Sequence, residues 1–416
     1  MIPICEAIDM VLGAVEPMPG ETVPITEASG RTLALAVAAD FDVPAFANSQ
    51  MDGFAIRAAD IAQASDATPV FLPLGETLGA GSMNEAALPP GTVFGIMTGA
   101  AMPEGADAVV PIEDVVERGS EVGFRALPKL GAFVRLAGED MRSGEEVLGA
   151  GHLLRPADIG LLASLGHAEV RCQRRPRVAI LGTGNELVAL GTPLRRGHIH
   201  DSNAYTLAAA VQAVGAEAHP LGIVRDTRED LVRAFASAAE FDFVLSTGGV
   251  SVGQFDYVKE VMDEIGLVRR FWRVAQKPGK PLTFAVRGRE ALYFGLPGNP
   301  VSAMVCFELY VAPALRRALR QQAVHLPSAL VEVGETISTS TVMTELVRCR
   351  IATHGPVPSV VRTGTQSSGA LRSLSLAECL VISPPGCERL KMGSEAQALL
   401  LRATGACVPT HPFGSA

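Results

Sequence analysis

The feature that most narrows the fold is an alternation of short apolar runs with helix-like segments, beginning at RRPRVAILGTGNEL (174–187). Arg174, Arg175 and Pro176 precede an apolar run at 178–181, and a domain boundary is expected near 175. An alanine-rich helix is expected over 203–215, closed by glycine, followed by a short apolar run at 221–224. DTRED then opens a helix reaching to about 239, with Asp226 and Glu229 at capping-box spacing. FDFVLS (241–246) reads as a strand and 256–265 as a helix stopped by Gly266. TFAV (283–286) and ALYF (291–294) read as strands joined by the tight turn RGRE. GLPGNPVSAMVCFELY runs into a helix with Asn299 suited to the N-cap and Pro300 to N1. Such alternation implies a mainly parallel sheet with helices on both faces, and a ligand at the carboxyl ends of its strands.

The flanking regions follow other rules. Before 175, runs such as TVFGIM and DAVVPIE are punctuated by PPGT, PEGAD and GEDMRSGEE, which reads as β-rich with many turns. Helices are expected near 3–14 and from 156 to 165. After about 326, ALVEVGETI, ELVRCRIA, PSVVRTG and ECLVISPPG have the spacing of a small β-barrel or sandwich. With 416 residues the chain is long enough for two to four domains.

Composition excludes several function classes. Hydrophobic residues make up 48%, but no run approaches the roughly 18 apolar residues of a membrane helix. MIPICEAIDM contains Glu6 and Asp9 and has no targeting pattern, so a soluble, cytoplasmic protein is expected. The seven cysteines form no C-x-x-C pair. A formal charge of −9 argues against nucleic-acid binding, so an anionic ligand needs a local site.

Four glycine-bearing turns supply candidates: LGTGNEL (181–187), TGGVSVGQFD (247–256), KPGKP (277–281) and LPGNPVS (296–302). Glycines after strands let main-chain amides approach an anion closely, and helix N-termini add partial positive charge. Lys277 and Lys280 bracket a stiff Pro-Gly and suit a charge clamp on an oxyanion, although lysines are also ordinary surface residues. Glu186, Asp226 and Asp256 would repel a phosphate unless a divalent cation lay between, and carboxylates with phosphate oxygens suit magnesium. Each also has a plain reading: Asp226 and Asp256 as helix caps, Glu186 as a solvated turn residue. His198 and His200 in GHIHD lack a third metal ligand, and Asp201 beside them resembles a helix cap. Upstream, Asp52-Gly53 in NSQMDGFAIRAAD is the commonest hairpin signal, and Thr98, Glu113, Arg135 and Asp140 are further polar candidates in turns.

Taken in order, PAFANSQMDGFA, IMTGAAMPEGADAVV, RLAGEDMRSGEEVL, PRVAILGTGNELV, HDSNAYTL, STGGVSVGQFDYVK, KPGKPLTF and LPGNPVSA resemble the MoeA, or molybdopterin molybdenumtransferase, family. The family also occurs as the E domain of gephyrin, and the resemblance runs from residue 3 to about 400. It implies an N-terminal helical linker domain (1–45 with 146–175), a β-rich second domain (46–145), a MogA-like three-layer α/β domain (176–322) and a C-terminal small β-barrel (327–404). It further implies an enzyme that takes adenylylated molybdopterin, cleaves its phosphoanhydride with Mg2+ to release AMP, and inserts molybdate to give the molybdenum cofactor. Homodimers are implied, with part of the second domain completing the partner's cleft, and with a molybdopterin adenylyltransferase and molybdoenzyme apoproteins as protein partners.

Carried over by position, the resemblance implies catalytic roles for Asp52, Thr98, Asp140, Glu186, Asp226 and Asp256, and metal binding by Glu186, Asp226 and Asp256. Gly248, Gly249, Ser251 and Gly253 would face the pterin phosphate, Lys277 and Lys280 would bind anions, and Pro297, Gly298, Asn299 and Pro300 would shape the cleft loop. Asn185 and Gln254 stand where the family usually has Asp and Glu, which implies altered metal affinity with activity retained. A molybdopterin adenylyltransferase would need only the α/β region, and MDGFA and RLAGED upstream argue against it. A cofactor carrier or scaffold is a further alternative, although no long linker supports scaffolding.

Overall fold

The computed structural model describes residues 1–82, 86–248, 261–262, 264–288, 291–353 and 357–401. The chain forms two compact units, one of Met1–Ala34, Gly151–Pro156 and the chain from Glu169 onward, the other of Leu35–Ala150 with Ala157–Ala168.

The first unit is built on a six-stranded sheet in the spatial order Glu217–Val224, Arg177–Thr183, Phe243–Thr247, Ala291–Leu296, Thr283–Arg287, Val268–Trp272. The first four strands run parallel, Thr283–Arg287 is antiparallel to both of its neighbours, and Val268–Trp272 runs again in the direction of the first four. The expected parallel core is present, and the side-chain alternation of its strands explains the layers. Val178, Ile180, Phe243 and Leu245 enter one hydrophobic core with Leu207 and Val211 of the helix Asn203–Ala213. Ala179, Leu181 and Val244 enter another with Leu231 and Phe235 of the helix Arg228–Ser237. Because both faces are covered, the strands read as unbroken apolar runs.

Two helix starts differ from expectation. Asp226 is not the cap before Arg228–Ser237; Thr227 has the extended backbone of an N-cap, and its hydroxyl accepts from the Asp230 N–H at 3.2 Å. Asn299 does hold the N-cap position before Pro300–Cys306, but its side chain makes no capping bond. That helix continues through a π-turn, Phe307–Val311, into Ala312–Ala318. Pro313 accounts for the π-turn: it lacks an N–H and its ring clashes with the carbonyl four residues back, so a wider turn relieves both. The expected helix at 256–265 and the RGRE turn lie largely outside the described residues.

The same unit ends in a closed ring of five strands. Thr344–Thr353, Ser359–Arg362, Ser328–Val333, Glu395–Leu400 and Cys379–Ser383 pair in that order, and the last pairs back to the first. Val331, Val333, Val347, Val360, Val381 and Ala398 fill it. A short strand, Gln276–Lys277, adds alongside Thr344 and Glu345, tying the KPGKP segment to the barrel.

The second unit holds a six-stranded sheet, in the order Ala108–Pro111, Gly53–Ile56, Val93–Ile96, Val70–Leu78, Glu121–Phe124, Val115–Arg118. Here Asp52-Gly53 is no hairpin turn. Gly53 starts a strand paired on both sides, and a Cβ on it would lie 2.2 Å from the Val110 carbonyl oxygen. Among the described residues no helix is long and apolar enough to cross a membrane.

Candidate functional site

A cleft of about 640 Å³ opens at the carboxyl ends of three parallel strands, marked by Thr183, Thr247 and Pro297. The strand Arg177–Thr183 has Glu217–Val224 on one side and Phe243–Thr247 on the other, so the chain order reverses beside the cleft. A ligand crevice forms at such a switch point because the connecting segments leave on opposite faces.

Local packing determines the residues around it. Gly248 has φ +93°, and a Cβ there would sit 2.3 Å from the Thr183 carbonyl oxygen, so only glycine lets the two strand ends lie side by side. Thr183 Oγ1 donates to the Thr247 carbonyl at 3.1 Å, fastening the same junction. The Glu186 side chain folds back over Gly184, with both carboxylate oxygens 2.6 Å from where a Cβ would stand. Asp201 is 4% exposed. One of its oxygens would lie 2.5 Å from a Cβ on Gly182, and the other accepts from the Ala204 N–H at 3.1 Å. Ser202 holds the N-cap position of the helix, but the bond expected of Asp201 to the first turn is present, and it brings a second carboxylate to the cleft wall beside Glu186. Asn203 Nδ2 donates to the Gly298 carbonyl at 2.8 Å and ties this wall to the LPGNP turn.

The barrel supplies the facing wall through Gly369 and Leu371. Arg348 holds that loop from inside: it is fully buried, its Nε donates to Ser373 Oγ at 2.8 Å, and a terminal nitrogen donates to the carbonyls of Thr365 (3.3 Å) and Ser367 (3.1 Å). Burial pushes its pKa down. Ser368 of the same loop accepts from the Val301 N–H at 3.1 Å, doing for that helix end what the Asn299 side chain does not.

Of the residues expected from sequence, Glu186, Gly248, Pro297, Gly298, Asn299 and Pro300 line this one cleft. Asp226 is not among the lining residues; its N–H donates to Asn185 Oδ1 at 3.4 Å, an acceptor role an aspartate would also fill. The two lysines are not in the lining either. Lys277 Nζ lies 2.9 Å from Glu345 Oε1 on the barrel, and Lys280 is exposed. The loop enters the cleft through Pro281. Below it, the buried Gln276 takes a hydrogen bond from the Tyr310 hydroxyl and gives one to the Pro278 carbonyl at 3.0 Å. Gly249, Ser251, Gly253 and Asp256 lie outside the described residues. Among the described residues, no three His, Cys, Asp or Glu side chains gather closely enough to hold a metal ion by themselves.

In the second unit Asp52 and Thr98 meet. Asp52 Oδ1 accepts from the Thr98 N–H at 2.7 Å and from its hydroxyl at 2.8 Å, and these bonds hold the Asp52 carboxyl below the usual carboxylate range. Asp140 is exposed in a turn, its N–H bonded to the Val43 carbonyl at 3.0 Å.

Sequence reasoning passed over Thr183, Thr247, Asn203 and Arg348 as site residues. Asn203 sits inside the HDSNAYTL motif, but nothing in the pattern around Arg348 distinguishes it from a surface arginine.

Fold and cleft define a class: multidomain α/β plus β proteins with a ligand crevice at a strand-order switch, walled in part by a closed barrel. Three family descriptions match in succession: "MoeA N-terminal region (domain I and II)" over residues 2–166, "Probable molybdopterin binding domain" over 179–317, and "MoeA C-terminal region (domain IV)" over 331–401. A molybdopterin molybdenumtransferase of Haemophilus influenzae is 39% identical over 310 residues, 74% of this chain and 75% of the relative. One of Staphylococcus aureus is 32% identical over 409 residues, 97% of each. A crystal structure of the molybdopterin biosynthesis MoeA protein from Pyrococcus horikoshii superposes with a TM-score of 0.83 at 30% identity, covering 97% of this chain and 99% of the other. The chain belongs to the MoeA family.

Proposed function

We propose that this chain inserts molybdate into adenylylated molybdopterin, cleaving the phosphoanhydride in a magnesium-dependent step that releases AMP. The observation that carries the reading is the cleft at the strand ends, with Glu186 and Asp201 on one wall and the LPGNP turn on another, in a member of this family. Relatives covering almost the whole chain carry the name molybdopterin molybdenumtransferase.

The oxygen donors on that wall fit magnesium, which takes one or two carboxylates and completes its shell with water and phosphate oxygens. Glu186, which is exposed, is the residue we assign to hold it, with Asp256 and Asp226 as the further acids of the set; Asp201, already bonded to the Ala204 N–H, supports the wall. Bound there, the ion would offset phosphate charge as the anhydride breaks. Gly248 and Gly298 leave room for the pterin phosphate to approach the main chain, and Asn299 offers a carboxamide. Lys280 would attract the molybdate dianion, and Lys277 would join it on leaving Glu345.

The reading includes four domains with the bounds expected from the sequence, a cytoplasmic location, and a homodimer in which Asp52, Thr98 and Asp140 act across the subunit boundary. Supplying purified protein with adenylylated molybdopterin, Mg2+ and molybdate should give molybdate-stimulated AMP release. Asp256→Asn should abolish it and leave dimerisation intact, and chelation should stop it reversibly. Consumption of ATP and molybdopterin in its place would transfer the protein to the adenylyltransferases.

A further inference from the structure

The RRPR run before the first strand of the α/β sheet contains three arginines, and two have evident partners. Arg174 grips Asp242 with both terminal nitrogens, at 3.0 and 2.7 Å. Arg177 lies 3.6 Å from a Glu240 oxygen and 4.7 Å over the Phe241 ring. Arg175 makes no ion pair among the described residues, and its Nε is buried with no hydrogen-bond partner among them. A buried guanidinium N–H left unbonded is unfavourable by the full desolvation of that group.

Arg175 lines a cavity of about 840 Å³ together with Arg316, Gln212, Gln321, Glu217 and His219. Arg316 is half-buried; among the described residues its one hydrogen bond is to the Val324 carbonyl at 3.1 Å, and burial pushes its pKa down while the nearby Glu308 carboxylate partly offsets that shift. The one carboxylate on the lining, Glu217, lies 3.7 Å from the His219 ring nitrogen. The helix Asn203–Ala213 ends here, and a cation is welcome at such an end. That attraction explains a positive charge but not an unbonded buried Nε; the carbonyls of Ala210, Val211 and Gln212 at this end already accept from Val214, Ala216 and Gly215.

The cavity sits at the amino-terminal edge of the sheet, where Arg175 and Glu217 lead into their strands. The catalytic cleft begins at Thr183, so the length of a seven-residue strand, about 20 Å, separates the two. We propose that this cavity is a second ligand site, binding a phosphorylated small molecule with its phosphoryl group on Arg175 and Arg316 and its body along Leu153 and Val214. Guanidinium groups match phosphate oxygens in forked pairs, and the cavity has the volume of an ordinary small-molecule site. The assignment is independent of the reaction assigned to the cleft.

Inorganic phosphate and AMP titrated calorimetrically into the full chain test it. Each Arg→Gln change, Arg175→Gln and Arg316→Gln, should weaken saturable phosphate binding about tenfold or more, whereas Lys280→Ala should retain it. Molybdate-stimulated AMP release should be unchanged in Arg175→Gln. AMP binding that is tighter than phosphate and weakened by Arg175→Gln supports an organic phosphate ligand, since AMP held in the cleft would not respond to that change; Arg175-dependent phosphate binding as tight as that of AMP overturns the organic ligand. Should the glutamine variants fold poorly, Ala213→Glu places a negative charge at the exposed rim and should weaken binding without touching either arginine. No saturable binding, or wild-type affinity in Arg175→Gln or Ala213→Glu, overturns the site.

Discussion

Gly53 in the β-rich unit and Gly248 in the α/β unit are glycines for nearly the same steric reason and serve different ends. A Cβ on Gly53 would lie 2.2 Å from the Val110 carbonyl oxygen, and one on Gly248 would lie 2.3 Å from that of Thr183. Gly53 lets two strands close over a core that takes in Phe54 and Ile56. Gly248, with φ +93°, ends a strand and leaves the chain on the rim of a cleft. Each has an acid nearby. Asp52 is pinned by two bonds from Thr98, whereas Glu186 lies folded against its own turn with its carboxylate exposed. A glycine beside a carboxylate therefore signals close backbone approach in both places, and only the neighbours separate a sheet-building site from a ligand-binding one.

The comparison breaks first on stability. Gly53→Ala and Gly248→Ala should each lower the unfolding free energy by about 3 kcal/mol in chemical denaturation, since backbone must move in both. Equal stability of either variant with wild type would remove the steric account. Next in size is Glu186→Gln, which should lower molybdate-stimulated AMP release roughly thirtyfold and leave the denaturation midpoint in place because the side chain is exposed. A similar loss of stability would make Glu186 a structural residue like Gly248.

A smaller effect tests the Asp52 side. Its folded pKa is lowered by Thr98, so its contribution to stability is present above the ordinary carboxylate range and is lost as pH falls through the lowered value. Thr98→Val removes the hydroxyl bond and keeps the N–H bond, so the Asp52 carboxyl should titrate at higher pH by NMR and the acid-side loss should shrink. An unmoved titration would assign the shift to the backbone bond alone. The smallest effect belongs to Lys277→Ala. Its pair with Glu345 is more than half exposed on the lysine side, so stability should change by less than about 1 kcal/mol. The molybdate concentration needed for half-maximal AMP release should rise, and an unchanged requirement would leave Lys277 as a strut between loop and barrel.

Several parts of the site were legible because they depend on neighbours in sequence. The strand runs at 178–181 and 241–246, the turn glycines and the N-cap position of Asn299 follow from periodicity and backbone preference. The cleft role of four consecutive members of the LPGNP turn came instead from the family resemblance, and all four line the cleft. The N-cap expected at Asp226 failed for a local reason as well, since Asp226 and Thr227 both suit that position and backbone geometry chose the threonine.

By itself the amino-acid order determined the parallel α/β core with both faces covered, because side-chain alternation in 178–181 feeds two separate cores. It also determined which strand ends carry glycine. Long-range register decided the rest: that Asp201 shares a wall with Glu186, that Lys277 meets Glu345 across a strand pair, and that Arg348 reaches the loop behind Leu371. Such pairings join residues from 15 positions apart, for Glu186 and Asp201, to 68 apart, for Lys277 and Glu345. They arise when sheet and barrel close, and no local pattern encodes the partner.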